Sequence, residues 1–166
     1  MIEKHKIGGL PVPENVNVPL PAEHKAELAI WNDLVVDDCD RIEELSSPEE
    51  VKYFLAGRFN LENYESDIRV AILLDLYYYV IQFAKSNGFD KPQMSSLFSI
   101  VKSTHEIATE TSFGNLQETF KYFRDSLIRH SVSRPLFYIG VFTPDQTRLI
   151  TEYMISTYFR HFKLYK

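Results

Sequence analysis

The sequence predicts an all-α fold, a single compact domain of about six helices that follows an extended, proline-rich N-terminal arm. Apolar residues recur at spacings of three and four along most of the chain, the period of one helix face. Four segments open with a capping residue followed three positions later by Glu or Gln, and these capping residues are Ser47, Asp90, Asn115 and Thr143. Four of the eight prolines lie between residues 11 and 21.

Residues 1–21 are predicted to form the extended arm. Proline fixes φ and lacks a backbone donor, so Pro11, Pro13, Pro19 and Pro21 oppose both a helix and a central strand. The apolar residues of the arm are expected to lie in a groove of this domain or of a partner; they are Leu10, Val12, Val16, Val18 and Leu20.

The first two predicted helices have the weaker patterns. Between residue 22 and about residue 38, Leu28, Trp31, Leu34 and Val35 follow one another at spacings of three, three and one, which favours an amphipathic helix. Ser47-Pro48-Glu49-Glu50 combines an N-cap serine, a proline at the first helical position and a glutamate that closes a capping box. This second helix is expected to end near Gly57.

The third predicted helix spans residues 66–87 and is expected to be enclosed on most sides. One face carries Ile68, Ile72, Leu76, Tyr79, Val80 and Phe83. Other apolar side chains are spread around the helix; they are Leu73, Leu74, Tyr77, Tyr78 and Ile81. Asn87-Gly88 supplies a left-handed stop.

The next two helices have single apolar stripes. From Asp90 to near Glu110 the stripe is Met94, Leu97, Phe98, Val101, His105 and Ala108. After a capping box at Asn115-Leu116-Gln117-Glu118, the expected core face is Leu116, Phe120, Phe123 and Leu127. In that phase Lys121, Arg124, Asp125 and Arg129 face water.

The last helix follows an irregular surface connection from Arg134 to Phe142. Pro135 disfavours a helical conformation at Arg134, and Gly140 loosens the extended run 136–142. Thr143-Pro144-Asp145-Gln146 then caps a helix expected to run to about Lys163. No internal repeat and no low-complexity linker is visible, so residues 22–166 are interpreted as one domain.

Composition and charge narrow the classes of function. A net charge of −5 and a pI near 5.5 argue against non-specific nucleic-acid binding. The apolar segment 68–84 contains Arg69 and Asp75 and is too interrupted to span a membrane, and the first ten residues lack the apolar core of a signal peptide. A cytosolic location is therefore expected. The single cysteine, Cys39, has acidic neighbours that disfavour the thiolate, so it is interpreted as an inert thiol.

Motifs that would support catalysis or a cofactor are incomplete. His105-Glu106 begins like the zinc-hydrolase helix motif, but position 109, where a second His is required, is Thr. His105 is therefore interpreted as a core or interface histidine. Counted from Asp37, the sixth and twelfth positions of a helix-loop-helix calcium site require Gly and Glu, but here they are Ile42 and Pro48. The acidic run 37–44 is therefore interpreted as a solvated acidic surface. No phosphate-binding glycine motif and no serine nucleophile motif is present, and no cofactor is predicted.

The end of the chain is unusually aromatic and basic. One core-facing stripe cannot accommodate every aromatic residue between Tyr153 and Lys166, and aromatic side chains beside Arg are typical of interface hot spots. We therefore predict a partner-binding surface whose candidate residues are Arg134, Phe137, Phe142, Tyr158, Arg160, His161, Phe162 and Tyr165.

Three stretches of the chain carry motifs of one known family. They are residues 73–79 with Phe83-Ala84; residues 97–137, which include Thr104-His105-Glu106 and Phe113-Gly114-Asn115; and residues 142–166. Together, over roughly residues 69–166, they resemble the CLAMP-domain family of ciliary proteins, named for a small subunit of a projection on the central-pair microtubules of motile flagella. The resemblance implies a structural role in the axoneme with other central-apparatus subunits as partners, among which a large scaffold protein and calmodulin are candidates. It implies no enzymatic activity.

Three hypotheses of function follow. The leading one is a non-catalytic assembly subunit of the motile cilium, which accounts for the incomplete catalytic motifs, the aromatic C-terminal helix and the resemblance. The second is a calcium- or calmodulin-linked regulatory adaptor. The third, an enzyme that uses His105 and Glu106, requires a deep pocket that contains both side chains.

Overall fold

All regular secondary structure in the described residues is helical. The computed structural model describes residues 23–133 and 140–166 and contains seven α-helices: α1 (Val36–Glu44), α2 (Pro48–Arg58), α3 (Ile68–Ser86), α4 (Lys91–Glu110), α5 (Leu116–Ser131), α6 (Pro144–Met154) and α7 (Phe162–Tyr165). A 3-10 turn, Glu62–Glu65, precedes α3, and a π-helical turn, Ile155–Phe159, follows α6. The predicted all-α class is confirmed. The predicted arm lies outside the described residues.

Three of the four predicted capping boxes form. The side chains of Ser47, Asp90 and Thr143 accept hydrogen bonds from the backbone three residues later, and the Glu or Gln at that position returns one to the cap. The fourth prediction is wrong. The Asn115 side chain does not cap α5; it is buried and donates to the carbonyl oxygen of Ile107 at 2.8 Å, where it supports the turn between α4 and α5.

The predicted first helix does not form where the sequence placed it. Residues 23–29 have no regular secondary structure, Trp31 has a positive φ of 60°, and α1 begins only at Val36, one residue before the acidic run. Backbone groups of this segment bind distant side chains: the Ala29 N–H donates to Nε2 of His130 at 2.9 Å, and the Trp31 N–H donates to Oγ of Ser95 at 3.0 Å. These tertiary partners replace the hydrogen bonds that a helix would supply.

Helix α4 lies at the centre of the core. Its residues 94–101 are all buried, and it packs against α1, α3, α5 and α7. Phe98 contacts the rings of Phe59 and Tyr77, with centroids 5.1 and 4.9 Å away. The predicted stripe on this helix is confirmed, since its members are buried except for His105, which is half-buried.

Helix α5 packs against α4, and both helices bury small polar side chains; these are Ser96, Ser99, Thr119 and Ser126. Of the predicted core face, Phe123 and Leu127 are buried and Phe120 is half-buried. Leu116 is 46% exposed, so that part of the prediction is wrong. Leu116 begins the helix beside buried Asn115, and the inward position one turn later belongs to Thr119. Lys121 and Arg124 are exposed, and Asp125 and Arg129 are half-buried.

The core-facing stripe of α3 differs from the predicted one. Leu74, Tyr77, Ile81 and Ala84 are buried at spacings of three, four and three, with Leu76 and Val80 buried at its border. Ile68, Ile72 and Tyr79, which were expected to face the core, are among the exposed apolar residues. Helix α3 therefore has one apolar side packed against the domain and a second that is open.

Candidate functional site

The C-terminal helical segment, residues 144–165, presents a buried stripe of unusual regularity. Ile150, Met154, Tyr158 and Phe162 lie four residues apart and are all buried. In a regular α-helix each four-residue step overshoots a full turn by about 40°, so such a stripe would drift off the core. The π-helical turn Ile155–Phe159 is wider, and it returns Tyr158 and Phe162 to the core side. The predicted single helix to Lys163 is therefore interrupted.

Tyr158 attaches this segment to α4. Its ring is fully buried and stacks on Tyr165 with centroids 4.7 Å apart, and its hydroxyl lies 3.0 Å from Nδ1 of His105. Burial raises the pKa of Tyr158 and lowers the pKa of His105, so a neutral hydroxyl and a neutral imidazole share this hydrogen bond. The interpretation of His105 as a core or interface histidine is confirmed by these contacts.

Phe159 attaches the same segment to α5. Its ring centroid lies 5.1 Å from that of Phe120 and 5.5 Å from that of Phe123. Aromatic side chains therefore hold the π-helical turn from two sides, with Tyr158 directed to α4 and Phe159 to α5. Since both positions are occupied by packing, this part of the segment forms a rigid edge of the domain.

The candidate partner-binding residues divide into three groups. Phe142, Tyr158 and Phe162 are buried and pack within the domain, so in this conformation they do not offer a surface to a partner. Tyr165 is half-buried, and Arg160 and His161 are exposed. Arg134 and Phe137 lie outside the described residues. Tyr158 and Phe162 were assigned to a surface because the sequence pattern did not reveal the π-helical turn that brings them into the core.

The residues that were considered for catalysis or metal binding are not arranged for either role. Glu106 is exposed and pairs with Lys102 at 2.7 Å, and it makes no hydrogen bond to His105. Burial, followed by the nearby carboxylate of Asp38, raises the pKa of the Cys39 thiol to about 11. Among the described residues, no cluster of three or more His, Cys, Asp or Glu side chains is placed to hold a metal ion.

The acidic run contributes ion pairs to the fold. Asp38 pairs with Arg58 at 3.0 Å and Asp40 pairs with Lys91, while Asp37 and Glu44 are exposed. The Asp38 side chain also accepts from the Val35 N–H at 3.1 Å at the start of α1. The run is therefore only partly the solvated surface that was expected, because tertiary ion pairs engage three of its carboxylates, those of Asp38, Asp40 and Glu43.

One buried polar residue was missed by the sequence reasoning. His130 accepts the Ala29 N–H through Nε2 and donates through Nδ1 to the carbonyl oxygen of Ser126 at 2.7 Å. Its own carbonyl oxygen accepts the N–H groups of Val141 and Phe142 at 2.7 and 2.9 Å. His130 thus ties two connecting segments to α5. Only its spacing from Phe123 and Leu127 on one side of α5 could have indicated an inward position.

The helical fold and the C-terminal segment together define a helical structural module. Aromatic packing fixes residues of this segment, and its charged side chains remain outside. Within residues 23–133 and 140–166, no helix has the length and apolarity needed to cross a membrane. Residues 79–166 match the family model CLAMP, described as flagellar C1a complex subunit C1a-32. The match covers more than half of the chain, and the chain belongs to the CLAMP family.

Family membership gives the cellular setting. The family consists of structural subunits of the flagellar C1a complex in the central apparatus, which assigns the chain to the axoneme of the cilium or flagellum, a part of the cytoskeleton. The resemblance drawn from the residues is confirmed, although the family match begins at Tyr79, inside α3, and not at residue 69.

Proposed function

We propose that this protein is a non-catalytic assembly subunit of the C1a projection and that it binds neighbouring axonemal proteins through the exposed side of its C-terminal segment. The residues proposed for this contact are Arg160, His161 and Tyr165; Arg134 and Phe137, which lie outside the described residues, are proposed as further partner contacts. The partners are other central-apparatus proteins, with a large scaffold subunit as the leading candidate.

The observation that carries the proposal is the contrast between the two sides of the C-terminal segment. Its inner side is anchored by Tyr158 and Phe162, whereas Arg160 and His161 remain exposed next to them. Residues 158–166 contain Arg160, Lys163 and Lys166 and no acidic residue, in a chain whose net charge is −5. A rigid basic edge on an acidic protein favours contact with an acidic surface, and Arg is enriched at such contacts.

The test is assembly into axonemes of a variant that keeps the fold. Replacing Arg160 and His161 together by Ala removes two exposed side chains and leaves the buried stripe intact, so thermal unfolding should change little. The matched control is Arg148→Ala, an exposed arginine on α6 that pairs with Glu152. We expect the double variant to be depleted from purified axonemes at least fivefold relative to the control. Normal incorporation of a folded double variant would contradict the assigned surface.

The alternative function, a calcium- or calmodulin-linked regulatory adaptor, requires a change in the position of the C-terminal segment. Calmodulin recognises a basic amphipathic helix through its apolar face, and in this chain that face includes buried Tyr158 and Phe162. Binding of this kind would first have to detach the segment from α4. Calorimetric titration of the full chain with calcium, with and without calmodulin, tests this alternative, and a calcium-dependent heat of binding would favour it.

A further inference from the structure

We infer that the open apolar side of α3 and the end of the C-terminal segment form a docking groove for an amphipathic helix of a partner, with acidic residues at one end of that helix. We call this the α3 groove. It is distinct from the surface proposed above, because Arg160 and His161 do not line it and only Tyr165 belongs to both.

Two adjoining cavities make up the α3 groove. The first, of about 450 Å³, is lined by residues that include Arg69, Ile72, His105, Leu164 and Lys166. The second, of about 390 Å³, is lined by residues that include Leu76, Tyr79, Phe83 and Tyr153. Tyr165 lines both cavities and joins them. The groove follows α3, whose 19 residues extend over about 28 Å, the length of a five-turn helix.

The α3 groove is largely apolar although it is open. Ile72 is 40% exposed and Tyr79 is 58% exposed, and Ile68 and Leu164 are still more exposed beside them. Ile68, Ile72 and Tyr79 are spaced by four and seven residues, so they form one stripe along the helix. A contiguous apolar stripe of this kind is typical of a site that receives the apolar face of another helix.

The charges that line the α3 groove indicate the charge of the partner helix that fits it. Arg69 and Lys166 both lie in the first cavity, and no Asp or Glu belongs to the lining of either cavity. The Lys166 ammonium donates to the neutral carbonyl oxygens of Thr111 and Phe113, which hold it at this end of the groove. Asp75, on the same helix, pairs instead with Lys52 of α2 at 2.5 Å. The groove therefore presents positive charge at one end only.

The occupant that fits this pattern comes from another protein. The N-terminal arm of this chain contains Glu3, Lys4, Lys6 and Glu14, which gives it no acidic excess, and its four prolines oppose a helix. A partner helix of about 18 residues matches the length of the groove, and carboxylates in one terminal turn match Arg69 and Lys166.

Synthetic peptides test the inference on the full chain. One 18-residue helical peptide carries leucines at helical spacing and two glutamates in a terminal turn; the other has lysines in place of the glutamates. By fluorescence anisotropy, we expect the glutamate peptide to bind at least tenfold more tightly. Arg69→Glu should reverse this preference, because it changes the sign of the charge at that end. Lys121→Glu, an exposed site on α5 outside the groove, is the matched charge control and should leave the preference unchanged.

A second pair of variants tests the apolar part of the groove. Tyr79→Ser should weaken binding of the glutamate peptide at least tenfold, whereas Tyr53→Ser, at a tyrosine of α2 that is 76% exposed, should not. Ile72→Gln serves as an independent groove variant, and circular dichroism confirms that each variant is folded. Equal binding of the two peptides, or equal effects of Tyr79→Ser and Tyr53→Ser, would overturn the inference.

A photo-crosslinking residue in place of Tyr79 identifies the occupant directly. With the glutamate peptide present, crosslinks to the peptide support the inference. In the full chain alone, crosslinks to a second copy or to the arm would show that the groove already has a different occupant, and the inference would be wrong.

Discussion

Protonation of His130 should destabilise the fold, because both ring nitrogens are committed to bonds that require the neutral form. Nδ1 donates to the carbonyl oxygen of Ser126, and Nε2 accepts the Ala29 N–H. The side chain is fully buried. A proton on Nε2 would point at the Ala29 N–H, and a backbone N–H cannot accept a hydrogen bond. Protonation therefore breaks the tie between the N-terminal segment and α5.

The direction of the pH effect on stability follows from the lowered pKa of His130. Burial, as the largest cause, lowers the pKa of His130 below its ordinary value of 6.5. The unfolded chain therefore takes up the proton at a higher pH than the folded one. The contribution of His130 to stability is fully present above pH 6.5, and it is lost as the pH falls from there toward the lowered pKa of the folded state. Within that window the free energy of unfolding falls by up to about 1.4 kcal/mol per pH unit.

Urea unfolding between pH 7.5 and 5.0 measures this effect, since most carboxyl groups stay ionised over that range. His130→Gln should flatten the profile while it lowers stability at pH 7.5 by about 1–3 kcal/mol, because the Ala29 N–H and the Ser126 carbonyl lose their partners. His105, whose pKa is also lowered by burial, contributes to the same window, so His105→Gln separates the two. A His130→Gln profile as steep as that of the wild-type protein would refute the reasoning.

Two further predictions compare pairs of positions. By urea unfolding, Phe123→Ala should cost about 3–5 kcal/mol because Phe123 is buried and packs against Phe159 of the C-terminal segment. Leu116→Ala should change stability by less than about 0.5 kcal/mol because its side chain is exposed. Similar losses would contradict the assigned phase of α5. Ser47→Ala should cost about 1 kcal/mol through loss of the α2 cap. Asn115→Asp should also destabilise, by about 1–3 kcal/mol, because a carboxylate cannot donate to the Ile107 carbonyl; stabilisation would mean that residue 115 caps α5 after all.

Features that depend on neighbours in the sequence were predicted well. The starts of α2, α4 and α6 follow from Ser47, Asp90 and Thr143, whose capping bonds span three residues. The buried stripe of α4 was also predictable, because its apolar residues define one face without a competing face. Of the candidate partner-binding residues, Arg160 and His161 are exposed whereas Tyr158 and Phe162 are buried, and the role of this surface in binding stays a prediction.

The face of α3 was not predictable, because two apolar stripes on this helix compete. The stripe through Leu74, Tyr77 and Ile81 faces the core, and the stripe through Ile72 and Tyr79 remains open. Both have helical spacing, so periodicity alone does not distinguish them. The choice depends on how α3 packs against α2 and α4.

The sequence by itself determined the all-α class, the starts of α2, α4 and α6, the buried stripe of α4 and the family. Each of these depends on short-range spacing or on the order of motifs along the chain. The tertiary structure decided that residues 23–35 do not form the predicted helix and which side of α3 is open. It also decided that aromatic side chains of the C-terminal segment pack into the core. Those outcomes depend on contacts such as Ala29 with His130, 101 residues apart, and His105 with Tyr158, 53 residues apart. A local pattern records which residues share a face, but only the packing of distant segments determines what that face meets.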